Sequence, residues 1–128
     1  MLAGIRSILV IDDEFDIVNP IKRSLQKQGF DVYGYTDPLL AFEHFKNNPN
    51  SIDLILCDIR MPQMNGYELV RRIKTLQPKI RIILMSAFEI NDLEFSKVLP
   101  SINIDGFISK PVSLKNLTNR IKNCLGNS

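Results

Sequence analysis

The chain has 128 residues, 45% of them apolar and 23% charged, an ordinary composition for a soluble globular protein, and its length predicts one domain with a sizeable core. The net charge of +2 is spread out and too small to imply nucleic-acid or membrane binding. No apolar run reaches the roughly 18 residues of a membrane span, no signal-peptide pattern precedes the first strand, and two cysteines placed inside predicted elements point to a reduced, cytoplasmic chain without disulfides.

In chain order, Ile8-Leu9-Val10-Ile11 makes a first strand, about Ser7–Asp12, that runs into Asp12-Asp13. Short runs rich in Ile and Val, separated by helical patterns, mark strands of a parallel sheet covered on both faces. The first helix carries Ile17, Ile21 and Leu25 on one face and Gly29 at its C-terminal end. Pro20 removes a backbone donor, so a frayed or slightly bent first turn is expected. The second strand is about Asp31–Tyr35. Asp37 as N-cap and Pro38 at the first helical position open the second helix; Ala41, Phe42 and Phe45 form its apolar stripe, and Asn47-Asn48-Pro49-Asn50 ends it. His44, the single histidine, is read as an exposed residue of that helix.

The third strand, about Asp53–Cys57, runs into Asp58, with Cys57 a small core residue. The loop Ile59-Arg60-Met61-Pro62-Gln63-Met64-Asn65-Gly66 leads into a third helix bearing Leu69, Val70, Ile73 and Leu76. Met61 and Met64 suit either packing over that helix or contact with a partner. The fourth strand, Arg81–Met85, runs into Ser86. A fourth helix has the weakest pattern: Asn91-Asp92-Leu93-Glu94 resembles a capping box, and the pattern stops at Pro100. The fifth strand, about Gly106–Ser109, runs into Lys110-Pro111. The last helix starts at Ser113, repeats apolar residues at Leu114, Leu117, Ile121 and Leu125, and ends at Gly126.

Five β-α units with short connections and right-handed crossovers predict a doubly wound α/β domain over 1–128, with helices on both faces of a parallel sheet. Ligands of such sheets bind beyond the carboxyl ends of the strands, so Asp12, Asp13, Asp58, Ser86 and Lys110 are expected on one edge. Crowded acids need a positive partner, and an all-oxygen donor set with room for water and phosphate suits Mg²⁺. With His44 on the second helix, a His/Cys zinc site is excluded. An aspartate is also a nucleophile toward phosphorus, and phosphoryl transfer needs positioning plus cations and donors aimed at the equatorial oxygens. Lys110 and Ser86 supply an ammonium and a hydroxyl.

The acidic pair Asp12-Asp13, Asp58 followed by Met61-Pro62 and Asn65-Gly66, Ser86-Ala87, and Lys110-Pro111, in that order at strand ends, resemble the receiver domain of two-component response regulators over essentially the whole chain. The resemblance implies a CheY-like, flavodoxin-like (βα)5 fold with strand order 2-1-3-4-5. It implies that Asp58 takes a phosphoryl group from a phosphohistidine of a sensor histidine kinase or phosphotransfer protein, in a reaction the domain itself catalyses. Asp13 would ligate Mg²⁺ directly and Asp12 directly or through water, with Asp58 and the backbone carbonyl of Arg60 completing the set. Lys110 would pair with phosphoryl oxygens, Ser86 would move toward them, and Phe107, at the family's aromatic switch position, would turn inward; lacking the common tyrosine hydroxyl, it would act by packing alone. The face of the fourth helix, fifth strand and last helix would then meet a downstream protein, in a monomer or weak homodimer. The family's cis form is possible at Lys110-Pro111. Arg60 and Phe88 occupy positions that tune dephosphorylation, and a bulky Phe88 predicts a long-lived phosphate.

Two other readings compete. A pseudo-receiver would be an interaction module independent of phosphorylation, although all four expected side chains are present. A phosphatase of the haloacid-dehalogenase kind would use Asp12 as nucleophile with a second acid two positions on; position 14 is Glu, and the late acidic ligands of that family are missing.

Overall fold

Residues 4–87 and 103–126 are described in a computed structural model of the chain. Five strands, β1 (Ser7–Ile11), β2 (Asp31–Tyr35), β3 (Leu54–Asp58), β4 (Arg81–Ser86) and β5 (Gly106–Ser109), pair in parallel as one sheet in the order β2-β1-β3-β4-β5. The described helices are α1 (Phe15–Lys27), α2 (Pro38–Asn47), α3 (Gly66–Leu76) and α4 (Leu114–Cys124). The strand order reverses between β1 and β3, which places the topological switch point there.

Side chains alternate across the sheet. Leu9, Ile11, Ile55, Cys57, Ile82 and Leu84 pack toward Ala41 and Phe45 of α2 and Leu69, Val70 and Ile73 of α3. Ile8, Val10, Leu54, Leu56, Ile83 and Met85 pack toward Val18, Ile21 and Leu25 of α1 and Leu117 and Ile121 of α4. The central strands are buried on both faces, which explains their near-continuous apolar sequence. The edge strand β2 is more exposed, with only Val32 buried. Met61 is buried and Met64 half-buried against the first of these cores, so both pack over the third helix's side of the sheet.

Strand boundaries agree with the sequence pattern to within a residue. One shift matters: Asp58 is the last residue of β3 rather than the first of the loop. The fraying expected around Pro20 does not occur. The N–H groups of Ile17 and Val18 both bond to the carbonyl of Glu14, at 3.0 and 3.1 Å, and the helix continues past Pro20. The missing donor would have served only Asp16, an exposed residue of the first turn. Gly29 follows the helix at φ +96°, the left-handed region glycine favours.

His44 is half-buried, not exposed. Its Nδ1 lies 2.7 Å from the Tyr35 hydroxyl, and its ring centroid is 4.6 Å from that of Tyr33. Two tyrosines on the edge strand lean on α2, a contact that helical periodicity alone does not reveal. Cys57 and Cys124 are free thiols. The Lys110-Pro111 peptide is cis. The fourth predicted helix and Phe88 lie outside the described residues. No helix among the described residues is long and apolar enough to cross a membrane.

Candidate functional site: an acidic rim around one lysine

Register brings the site together. Ile11 pairs with Cys57, so the next residues, Asp12 and Asp58, leave the sheet side by side. Asp58 pairs with Met85, one step before Ser86, and Ser86 pairs with Ser109. The backbone N–H of Lys110 then donates to the carbonyl of Ser86, 2.7 Å away. From there the Lys110 side chain reaches across two strands. Its Nζ is 2.6 Å from Asp12 Oδ2 and 3.3 Å from Asp58 Oδ1. All three side chains are largely withdrawn from water: 9% exposed for Lys110, 0% for Asp12 and 6% for Asp58.

Backbone contacts hold these groups in place. Asp12 Oδ1 accepts from the N–H of Glu14 at 2.9 Å, and the N–H of Asp12 donates to the carbonyl of Tyr35 at 3.2 Å. The N–H of Ile59 donates to the carbonyl of Met85 at 3.1 Å. Asp13, the outermost acid, is exposed, yet one carboxylate oxygen from each of Asp12, Asp13 and Asp58 lies within 4.8 Å of the others. Ser86 is buried at the end of β4. Phe107 stands apart from the acids, half-buried on β5 against the α2/α3-side core, with its carbonyl accepting from Arg120 Nη2 at 3.0 Å. Arg60 follows in the exposed turn after Asp58 and Ile59.

The electrostatics follow from three acids around one cation. Burial first, and then the charge of Asp12, push Asp58 up to about 6; Lys110 pulls it back, and Asp13 adds a smaller upward push. Burial pulls Lys110 down, but the hydrogen bond and charge of Asp12, followed by those of Asp58, outweigh it and hold the ammonium above its ordinary value. The Cys57 thiol is pushed up by burial and by the charges of Asp58 and Asp12, so it remains protonated and is no nucleophile or soft metal ligand.

Three carboxylates against one ammonium leave two negative charges without a described partner. Asp12 Oδ2 is buried, and among the described residues the Lys110 ammonium is the one group shown to reach it. Among the described residues this is the one cluster of three potential metal ligands, and every donor in it is oxygen. Such a set fits a hard divalent cation of the Mg²⁺ type, reached from solvent past Asp13.

The structure thus gathers the five strand-end residues named from sequence and leaves Phe107 on the flank. The motif reading gives Gly66 no role. A Cβ at that position would collide with the backbone carbonyl of Asp58 and stand 2.9 Å from Ile59 Cα. The sequence signal for it is faint, an Asn-Gly pair ahead of a helical pattern.

A doubly wound parallel sheet with an acidic cluster and a lysine at its switch point defines a class of protein. The model of the response regulator receiver domain family matches residues 8–122, and the chain belongs to that family. It is 31% identical over 120 residues to the response regulator receiver protein CpdR of Brucella abortus, covering 94% of this chain and 97% of that one. Other curated relatives are longer: the chain spans 13% of one and half of another. A solved response regulator receiver domain protein from Clostridium thermocellum is 29% identical with a TM-score of 0.85, covering 96% of each chain. A chain of the CheX-CheY-BeF3-Mg²⁺ complex from Borrelia burgdorferi is 26% identical with a TM-score of 0.83, covering 94% of this chain and 90% of that one. The chain is thus a receiver domain, the signalling module of two-component response regulators.

Proposed function

We propose that Asp58 accepts a phosphoryl group from a phosphohistidine on a sensor histidine kinase or phosphotransfer protein. The single observation that carries this is Lys110 Nζ standing between Asp12 and Asp58 inside a cluster of three acids. An Asp58 carboxylate oxygen attacks phosphorus and forms a P–O bond. The P–N bond to the donor imidazole breaks, and its electron pair stays on that nitrogen. Lys110, already 3.3 Å from Asp58, offers its ammonium to the phosphoryl oxygens, and Ser86 its hydroxyl. Asp12, Asp13, Asp58 and the backbone carbonyl of Arg60 would hold Mg²⁺, which when bound neutralises charge on the transferred group. The BeF3 and Mg²⁺ of the CheX-CheY complex accord with this reading for a relative of similar fold.

Phosphorylation draws Ser86 and Lys110 toward the new charge, and Phe107, two residues before Ser109 on β5, repacks. The changed surface around β5 and α4 meets a downstream protein, in the cytoplasm, with the chain a monomer or weak homodimer. Intact-mass measurement after acetyl phosphate and Mg²⁺ tests the proposal. The wild type is expected to gain one phosphoryl group and Asp58→Asn none. A wild type without any gain would leave a phosphorylation-independent interaction module in its place.

A further inference from the structure

We propose that Gly66 is a positioning residue for the phosphoacceptor strand end: the start of α3 is clamped onto the backbone of Asp58 and Ile59, and only a residue without a side chain permits the clamp. This rests on the proposed role of Asp58. The N–H of Gly66 donates to the carbonyl of Ile59 at 2.7 Å. The three nearest atoms to a Cβ placed there are Asp58 O, Ile59 Cα and Asp58 C, all backbone, the latter two at 2.9 and 3.1 Å. Backbone cannot swing aside as a flexible side chain can, so an added methyl moves either α3 or the end of β3. Gly66 does not have the positive φ of Gly29 and Gly126. Its requirement is therefore one of space, not of backbone conformation.

The clamp is braced from both sides. Asn65 caps α3, its Oδ1 accepting from the N–H of Glu68 at 2.9 Å, while Leu69, Val70 and Ile73 anchor the helix in the core. On the other side Ile59 is tied to Met85 through its N–H. The end of β3 is thus held between β4 and the first residue of α3. Both groups that this segment would offer to a cation, the Asp58 carboxylate and the Arg60 carbonyl, flank Ile59. Supporting groups outside a ligand shell commonly change metal affinity by about 10–100-fold when removed, and a misplacement of about 1 Å can slow chemistry by about 100-fold.

The experiment compares wild type, Gly66→Ala and a control, Ile73→Val, which trims the core beneath the same helix. Mg²⁺ affinity is read by titration of the metal-free proteins, with backbone amide shifts of Asp58, Ile59 and Arg60 as a second readout and labelling by acetyl phosphate as a third. Expected for Gly66→Ala are Mg²⁺ binding weakened about tenfold or more, displaced shifts at those three amides in the metal-free protein, and slower labelling; the control keeps wild-type Mg²⁺ affinity. If Gly66→Ala does not fold, Asn65→Ala loosens the start of α3 without adding atoms and is expected to weaken Mg²⁺ binding in the same direction. Wild-type Mg²⁺ affinity in Gly66→Ala, or in Asn65→Ala where that variant stands in, overturns the inference and leaves the role of Asp58 intact. A wild type that neither binds Mg²⁺ nor labels overturns both.

Discussion

The two rims of the sheet use the same residue for opposite ends. At the amino rim, Asp53 Oδ2 accepts from the N–H of Ser7 and Asp105 Oδ2 from the N–H of Ile82, each at 2.7 Å. Each of these carboxylates accepts from a backbone N–H near the start of a neighbouring strand, and Asp105 also lies 3.6 Å from Arg81. At the carboxyl rim, Asp12, Asp13 and Asp58 crowd around a single lysine. An aspartate that accepts from a backbone donor stabilises the fold; three that share one cation store repulsion until something else positive arrives. The carboxyl rim is thus built at the expense of stability, which is a common property of functional sites.

Removing the shared cation should give the largest effect. Lys110→Ala leaves the buried Asp12 and Asp58 without compensation and is expected to destabilise the metal-free protein by about 3 kcal/mol, read as a fall in the urea midpoint. An unchanged midpoint would mean that the acids are already neutral or screened.

Next comes the pH dependence of the same rim. The folded value for Asp58 of about 6 lies above the roughly 3.9 of an unfolded aspartate. Between those values the folded chain holds a proton that the unfolded chain has released. This contribution therefore favours folding below about pH 4, declines as pH rises through about 6, and leaves the protein less stable above that. Metal-free Asp58→Asn is expected to lack the decline and to exceed wild type by up to about 3 kcal/mol at pH 8. Parallel stability curves for the two proteins between pH 4 and 8 would refute it.

The amino rim should respond in the other direction. Asp53→Ala and Asp105→Ala each strand a backbone donor and are expected to cost about 1–2 kcal/mol. Mg²⁺ should stabilise these variants as much as wild type. A carboxyl-rim phenotype in either one would dissolve the contrast. The smallest effect on the metal-free fold is expected from Asp13→Ala, because Asp13 is exposed: a slight gain in melting temperature together with loss of most Mg²⁺ stabilisation. For wild type that stabilisation approaches about 2.7 kcal/mol at a hundredfold excess over Kd. Equal Mg²⁺ response in wild type and variant would remove Asp13 from the ligand set.

Much of this was legible in the chain. Buried parallel strands are short, apolar and flanked by polar residues, so Ile8–Ile11 and Ile82–Met85 announce themselves, and with them the chemistry just beyond their ends. Asp37-Pro38 and Ser113 mark helix starts for equally local reasons: the side chains of Asp37 and Ser113 accept from backbone N–H groups of the first turn. His44 resisted such reading because its partners, Tyr33 and Tyr35, belong to another element. So did Gly66, whose neighbours Asp58 and Ile59 lie across a turn, and so did the caps by Asp53 and Asp105, which join residues 46 and 23 positions apart.

By itself, then, the sequence determined which residues sit at strand ends, since burial and backbone hydrogen bonding impose a local period that any stretch of chain displays. The tertiary structure alone decided what those residues feel. The contact of Lys110 with Asp12 and Asp58, the raised proton affinity of Asp58, and the space kept free at Gly66 all arise from register between strands remote in sequence, and Coulombic and steric interactions depend on distance through space rather than along the chain.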